Sequence, residues 1–66
     1  MVYKIIDLVG VSSKDHSAAV SEAVKESSKT IRGIERVIVE RLEASVENNK
    51  IKEYRAYVKV VFKIER

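Results

Sequence analysis

Several residue types are missing or rare in this sequence, and each absence narrows the chemistry that the protein can perform. There is no cysteine, which excludes disulfide bonds and thiolate zinc sites, and one histidine, which excludes a histidine-rich metal site within one chain. There is no proline and there are two glycines, so no linker of these residues divides the chain. The 66 residues predict a single domain spanning residues 1–66. Domains of this size usually need disulfides, a metal or oligomerisation, and the composition favours oligomerisation.

Long apolar runs and blocks of like charge are also missing. No apolar run is long enough to span a bilayer, and the first residues lack the features of a secretory signal. The net charge is +3, but acids and bases are interspersed, whereas a nucleic-acid-binding arm carries a basic block. We therefore expect a cytoplasmic protein that binds neither membranes nor nucleic acid.

The clearest pattern in the sequence is an apolar residue at every second position of residues 53–66. This alternation is typical of a strand with one buried face. The apolar row consists of Ala56, Val58, Val60, Phe62 and Ile64. Residues 2–10 are rich in β-branched and aromatic side chains and predict a first strand, apolar on both faces and ended by Gly10. Residues 36–47 predict the second strand in chain order.

The remaining segments predict one helix and one tight turn. Residues 14–32 are mostly good helix formers, and they predict a helix capped by Ser12 or Ser13. Gly33 is the predicted end of this helix, since glycine readily adopts the left-handed conformation. Asn48-Asn49 predicts a two-residue hairpin turn, because asparagine tolerates positive φ.

The hairpin turn fixes a register that places apolar side chains opposite one another on the face of the Ala56–Ile64 row. The predicted pairs are Glu47–Lys50, Leu42–Arg55, Val39–Val58, Ile38–Lys59 and Val37–Val60. The element order is β-α-β-β, so we predict an α+β fold in which a three-stranded antiparallel sheet wraps one helix, with the last strand in the centre. The face away from the helix, which includes Leu42 and Tyr57, is too apolar for an ordinary exposed surface. It predicts a symmetric homo-oligomer.

In its order of elements and its local sequence, the chain resembles the dodecin family. The matching segments are residues 2–10 (VYKIIDLVG) with Ser12-Ser13, residues 28–32 (SKTIR) and residues 54–64 (YRAYVKVVFKI). Dodecins are small β-α-β-β proteins that assemble into hollow twelve-subunit spheres, and many bind flavins in pairs between subunits. The resemblance implies a homododecamer that stores or sequesters a flavin, FMN or riboflavin, and is not an enzyme.

The residues that contact flavin in the family are replaced in this sequence. The position of the family's ring-stacking tryptophan corresponds to Arg36, and that of the glutamine on the last strand to Arg55. An arginine that some members carry near Glu43 is replaced by an acid. The resemblance therefore implies Arg36, Arg55 and the nearby Tyr57 as cofactor-binding residues, and a guanidinium can stack on an aromatic ring.

Other interpretations of the same residues remain open. Arg36 and Arg55 could pair with acids of a neighbouring subunit, and the same shell could lack flavin and act as a scaffold or bind a cation such as calcium, although no acidic loop motif marks such a site. A nucleic-acid module is disfavoured by the balanced acids. An enzyme lacks support, because Ser12 and Ser13 have no base at an identifiable spacing. His16, in the first predicted helical turn, is expected in solvent.

Overall fold

A computed structural model describes residues 1–64, in which three strands and one helix follow the order β-α-β-β. The elements are β1 (Tyr3–Ser12), α1 (His16–Ser27), β2 (Ile34–Glu47) and β3 (Lys50–Lys63). β3 lies between β1 and β2 and is antiparallel to both. The predicted α+β fold with the last strand in the centre is confirmed. Glu65 and Arg66, at the end of the predicted last strand, lie outside the described residues.

Gly10 was predicted to end the first strand, but it lies inside β1 and faces Ala56. A Cβ atom at this position would lie 1.9 Å from the carbonyl oxygen of Ala19 and 3.1 Å from the Cβ of Ala23. The glycine is therefore needed because α1 packs so closely on the sheet, since only a residue without a side chain permits this approach of two backbones.

α1 is shorter at both ends than the predicted helix over residues 14–32. The cap is Asp15 and neither Ser12 nor Ser13, because the Oδ1 atom of Asp15 accepts a hydrogen bond of 2.7 Å from the backbone N–H of Ala18. Ser12 remains part of β1. The carboxylate satisfies one of the free N–H groups of the first helical turn and carries the charge that this end of a helix favours.

The C-terminal end of α1 lies well before the predicted stop. The hydroxyl groups of Ser27 and Ser28 donate hydrogen bonds of 3.0 Å and 2.8 Å to the carbonyl oxygens of Val24 and Lys25. Such bonds compete with the regular helical pattern, and the chain continues as a turn after Ser27. Gly33 has the predicted positive φ, 78°. However, it lies directly before β2 and does not end the helix.

The predicted hairpin register is correct at both ends and wrong in the middle. Asn48 and Asn49 form the turn with φ values of 53° and 63°, and the predicted pairs from Val37–Val60 to Val39–Val58 are present. β3 has one extra residue between the partners of Ser45 and Val46, and β2 has one extra residue between Val39 and Arg41. In the segment between these two points, the pairing is shifted by one residue. Each shift is a β-bulge, which leaves one residue without a cross-strand partner.

The bulges exchange the faces of several β2 residues. Leu42 was predicted opposite Arg55 on the face away from the helix, but it lies opposite Ala56 on the helix side. Arg41 takes its place on the other face, opposite Tyr57. A shift of one residue has this effect because neighbouring side chains on a strand point to opposite faces.

The core lies between α1 and the sheet and is built of small residues. Its buried members are Ala19, Ala23, Ala56, Val58 and Val60, packed against the half-buried Ile6, Leu8, Val20, Ile34 and Val37. In the predicted alternating row, Ala56, Val58 and Val60 are therefore buried and Phe62 is half-buried, whereas Ile64 follows β3 and is 41% exposed. A core of such small side chains gives an isolated chain only marginal stability. No helix within residues 1–64 is both long and apolar enough to cross a membrane.

Candidate functional site

The sheet face that points away from α1 is called the outer sheet face. Residues directly opposite one another on paired strands share a face, so the pairing fixes its members. They are Tyr3, Ile5, Asp7, Val9 and Val11 of β1, Arg36, Ile38, Arg41, Glu43 and Ser45 of β2, and Glu53, Arg55, Tyr57, Lys59, Val61 and Lys63 of β3. Ile5, Val9 and Ile38 are 51%, 47% and 42% exposed, so residues 1–64 leave this face open.

All three residues that the sequence implied for ligand binding lie on the outer sheet face. Arg55 and Tyr57 are near neighbours on β3, whereas Arg36 lies opposite Val61. The levels of Arg36 and Arg55 are about 20 Å apart along the strands, at about 3.3 Å per residue. One chain therefore does not bring the two arginines together, and a site that uses both needs two chains.

Arg36 borders a shallow depression of about 430 Å³ lined by apolar and polar side chains. The lining residues are Tyr3, Ile5, Glu35, Arg36, Ile38 and Val61. The hydroxyl of Tyr3 donates a 3.0 Å hydrogen bond to Glu35, and this bond raises the pKa of Tyr3. Within residues 1–64, Arg36 forms no ion pair. Its guanidinium is available to an anion or to a neighbouring chain.

Arg55 is paired with an acid of its own chain. Its Nη2 and Nε atoms donate hydrogen bonds of 2.9 Å and 3.3 Å to the Oε1 atom of Glu53. This carboxylate, followed by Tyr57, raises the pKa of Arg55. Glu43 faces Arg55 across the strands. The sequence interpretation had considered pairing with an acid of a neighbouring subunit, and the observed partner comes from the same strand.

The ring of Tyr57 is covered by Arg41, a residue that the sequence did not predict on this face. The guanidinium carbon of Arg41 lies 4.2 Å from the centre of the Tyr57 ring, and Arg41 Nε lies 3.1 Å from Glu43 Oε2. Arg41 was not predicted on this face, because the predicted register placed Leu42 there. The signal was present in the spacing, since the apolar positions Val37 and Val39 are followed by Leu42, and a step of three in an alternating strand indicates a bulge.

Lys59 connects all three strands at the centre of the outer sheet face. Its Nζ atom lies 2.7 Å from Asp7 Oδ1 on β1 and 3.6 Å from Glu40 Oε1 on β2. The hydrogen bond that Lys59 donates to Asp7 is the main reason that the pKa of Lys59 is raised. Asp7 is 77% exposed, and ion pairs this exposed contribute little to stability.

The fold agrees with comparisons to known proteins. The sequence model of the Dodecin family matches residues 2–65. The Dodecin of Thermus thermophilus is 31% identical over 64 residues, which cover 97% of this chain and 93% of that relative. This chain belongs to the dodecin family.

Solved dodecin structures have the same architecture as this family member. A Thermus thermophilus structure at 31% identity superposes with a TM-score of 0.93 and covers 98% of this chain and 96% of that chain. Dodecin from Streptomyces coelicolor, at 25% identity, gives a TM-score of 0.94 over 98% of this chain and 93% of the other. The calcium-chelating dodecin of Mycobacterium tuberculosis, described with a novel calcium-binding site, gives 0.85 at 32% identity, over 98% and 93% of the two chains.

The Thermus thermophilus dodecin contains a tryptophan that this dodecin lacks. A tryptophan-to-phenylalanine variant of the Thermus thermophilus dodecin has been solved, whereas the present sequence contains no tryptophan. On the outer sheet face of this dodecin, Arg36 and Arg55 supply cations and N–H donors but no acceptor. These groups fit an anionic group such as a phosphate better than they fit an uncharged ring. The central aromatic ring, Tyr57, is covered by Arg41.

His16 does not lie in solvent as predicted. It is half-buried at the start of α1, with its Nε2 atom 2.9 Å from the carbonyl oxygen of Glu43. Its ring meets that of Tyr54 edge to face, with 4.9 Å between ring centres. These contacts tie the start of the helix to β2 and β3, and they give His16 and Tyr54 a structural role.

Proposed function

We propose that residues 1–66 form the single domain of a homododecameric cytoplasmic shell, which binds and sequesters a small ligand between the outer sheet faces of neighbouring subunits and catalyses no reaction. The observation that carries this proposal is the open outer sheet face, where Ile5 is 51% and Val9 is 47% exposed. An apolar surface of this kind usually marks a contact site. Membership of a family that self-assembles supports a second copy of the chain as the partner.

A two-fold arrangement of two outer sheet faces accounts for the separation of Arg36 and Arg55. If the symmetry axis crosses the strands at the level of Val58, the level of Arg36 in one subunit meets the level of Arg55 in the other. β2 then crosses β2 and brings Arg36 opposite Glu43 of the partner subunit, where the charges are complementary. Self-complementary patches of this kind are what a two-fold interface requires.

Further pairs support this arrangement along the same axis. At one end of the interface, Lys63 meets the level of Glu53 of the partner subunit, another pair of opposite charge. At the β1 side, Ile5 meets the level of Val11 of the partner subunit, so apolar side chains face each other. Opposite charges and matched apolar residues fix register and orientation in an interface.

The ligand that fits between the two outer sheet faces is FMN, a flavin with a phosphate. Arg36 and Arg55 are the groups that would hold the phosphate, because a guanidinium presents N–H donors in a planar fork that matches phosphate oxygens. Tyr57 offers the aromatic surface for the ring. The bound flavin would supply its own redox chemistry, and the protein residues bind and shield it.

FMN is expected to bind more tightly than riboflavin. Hydrogen bonds to charged groups contribute about 1.5–3 kcal/mol, so the phosphate should raise the affinity about tenfold or more. Titration of each flavin, followed by quenching of its fluorescence, measures both dissociation constants. The Arg36→Gln variant should bring the two affinities closer together while riboflavin binding changes little. Absence of quenching for both flavins by assembled protein would refute the flavin proposal.

A second candidate ligand is calcium, favoured by the calcium-chelating dodecin of Mycobacterium tuberculosis. Within residues 1–64, no group of three or more His, Cys, Asp or Glu side chains is placed to hold a metal ion. A calcium site would therefore combine carboxylates from several subunits. Calcium takes 6–8 oxygen ligands, which flexible acidic side chains at a shared axis could provide.

Thermal unfolding tests the calcium proposal. Excess calcium should raise the midpoint temperature by about 4 °C or more, since each 1 kcal/mol of binding energy shifts a domain of this size by about 4–8 °C. Magnesium is the matched control, because it requires a smaller octahedral site and should shift the midpoint less. Equal shifts with both ions, or none with either, would show that this shell has no calcium site.

A further inference from the structure

We propose that Arg41 guards the ring of Tyr57, so that an aromatic ligand reaches this ring only after it displaces the guanidinium. The inference rests on the proposed function, in which the outer sheet face receives a flavin. It adds a residue that limits the affinity of that site. Tyr57 is central for this purpose, because Tyr3 is bound to Glu35 at the edge of the face and Tyr54 lies on the helix side.

The guard position depends on the bulge in β2. The register shift between Val39 and Arg41 turns Arg41 to the outer sheet face and places it opposite Tyr57. The guanidinium carbon then lies 4.2 Å from the ring centre. The guanidinium therefore covers the ring face on which a ligand ring would stack, so the guanidinium and a flavin ring compete for the same surface.

The surroundings of the Tyr57 ring suit an exchange of occupants. The ring and Arg41 border a depression of about 450 Å³ that also includes Asp7, Val9 and Glu40. Val9 offers apolar contact beside the ring, and the depression is open to solvent along the outer sheet face. A displaced Arg41 would keep its charge near Glu43, to which it is already bound at 3.1 Å.

The contacts that hold Arg41 are weak enough to be exchanged. Its side chain is 61% exposed and that of Glu43 is 44% exposed, and neither cation–π contacts nor ion pairs are strong at such sites. Arg41 therefore lowers the affinity for an aromatic ligand without preventing binding. Removal of the guanidinium should tighten binding by about two- to fivefold, which corresponds to the usual strength of an exposed cation–π contact.

Riboflavin is the sharper probe, because it is uncharged and reports on the ring alone. The Arg41→Ala variant should bind riboflavin about two- to fivefold more tightly than the unchanged protein. Arg41→Lys is the matched control, since it keeps the charge but lacks the planar group that covers the ring, and its gain should be smaller. In a Tyr57→Leu background the Arg41→Ala change should give no gain, because the covered ring is absent. Light scattering of each variant confirms that equal assemblies are compared.

The results separate the guard from the proposed function. If the unchanged protein binds riboflavin and Arg41→Ala binds it no more tightly, the guard is refuted while flavin binding stands. If Arg41→Ala binds riboflavin and the unchanged protein binds neither riboflavin nor FMN, the guard is supported and flavin storage by the natural chain is refuted. If neither protein binds either flavin, both proposals fail. Weaker FMN binding by Arg41→Ala with unchanged riboflavin binding would show that Arg41 holds the phosphate. If Arg41→Ala still tightened riboflavin binding in the Tyr57→Leu background, Arg41 would act through its charge alone.

Discussion

Replacing Gly10 with alanine is expected to prevent the chain from folding. The added Cβ atom would lie 1.9 Å from the carbonyl oxygen of Ala19 and 2.9 Å from its carbonyl carbon. Both are backbone atoms, so no side chain can move aside, and α1 must leave the sheet. We expect a loss of about 3 kcal/mol or more, whereas a domain of this size has about 3–5 kcal/mol from its core in total. Circular dichroism and urea unfolding of the purified variant measure the effect.

Gly33 provides the matched control for this experiment. Gly33→Ala adds the same methyl group at a position with φ of 78°, where an alanine costs about 1–2 kcal/mol. This variant should remain folded with reduced stability. If Gly10→Ala instead retained the stability of the unchanged protein, the close packing of α1 on β1 would be wrong.

Reversing the charge of Arg36 is expected to break the assembly. In the proposed two-fold arrangement, Arg36→Glu places an acid opposite Glu43 of the partner subunit, and symmetry repeats this repulsion within each interface. Like charges in an interface cost several kcal/mol, so we expect association to weaken by about 100-fold or more. Size-exclusion chromatography with light scattering should then show species smaller than the unchanged assembly.

Two further variants decide whether the effect is specific. Glu43→Gln in the Arg36→Glu background removes the opposing acid and should recover most of the assembly, without adding a cation beside Arg55. Arg32→Glu changes the net charge equally, but Arg32 lies exposed between α1 and β2 and its reversal should leave the assembly intact. Failure of Glu43→Gln to restore assembly would refute the placement of the axis at Val58.

The open outer sheet face also explains why so short a chain would need its own copies. Within residues 1–64 the buried apolar side chains are small, and the largest fully buried ones are Val58 and Val60. Assembly would bury the exposed apolar residues on the opposite side of the same sheet. Each Å² of apolar surface removed from water contributes about 25 cal/mol, so interfaces would add to the stability that the core alone provides.

Patterns in the amino-acid sequence are enough to predict the order of the elements, the central position of β3 and the hairpin turn. The alternating row from Ala56 to Phe62 and the pair Asn48-Asn49 are local patterns, and they predict local structure because strand periodicity and positive φ depend on the residues themselves. The placement of Arg36, Arg55 and Tyr57 on the face away from the helix followed from β3 alternation and from pairing near the turn. The family resemblance rested on the same segments.

Three features became clear from the folded chain: which β2 residues share the face with Tyr57, where α1 begins and ends, and why residue 10 is a glycine. The two bulges that place Leu42 on the helix side and Arg41 on the outer sheet face cancel each other, so the pairs Glu47–Lys50 and Val37–Val60 keep the simple register. Asp15 caps the helix ahead of the nearby serines, and Gly10 meets Ala19 across the core. These outcomes depend on contacts between residues distant in the chain, because packing of helix on sheet selects among local structures that the sequence alone leaves nearly equal in energy.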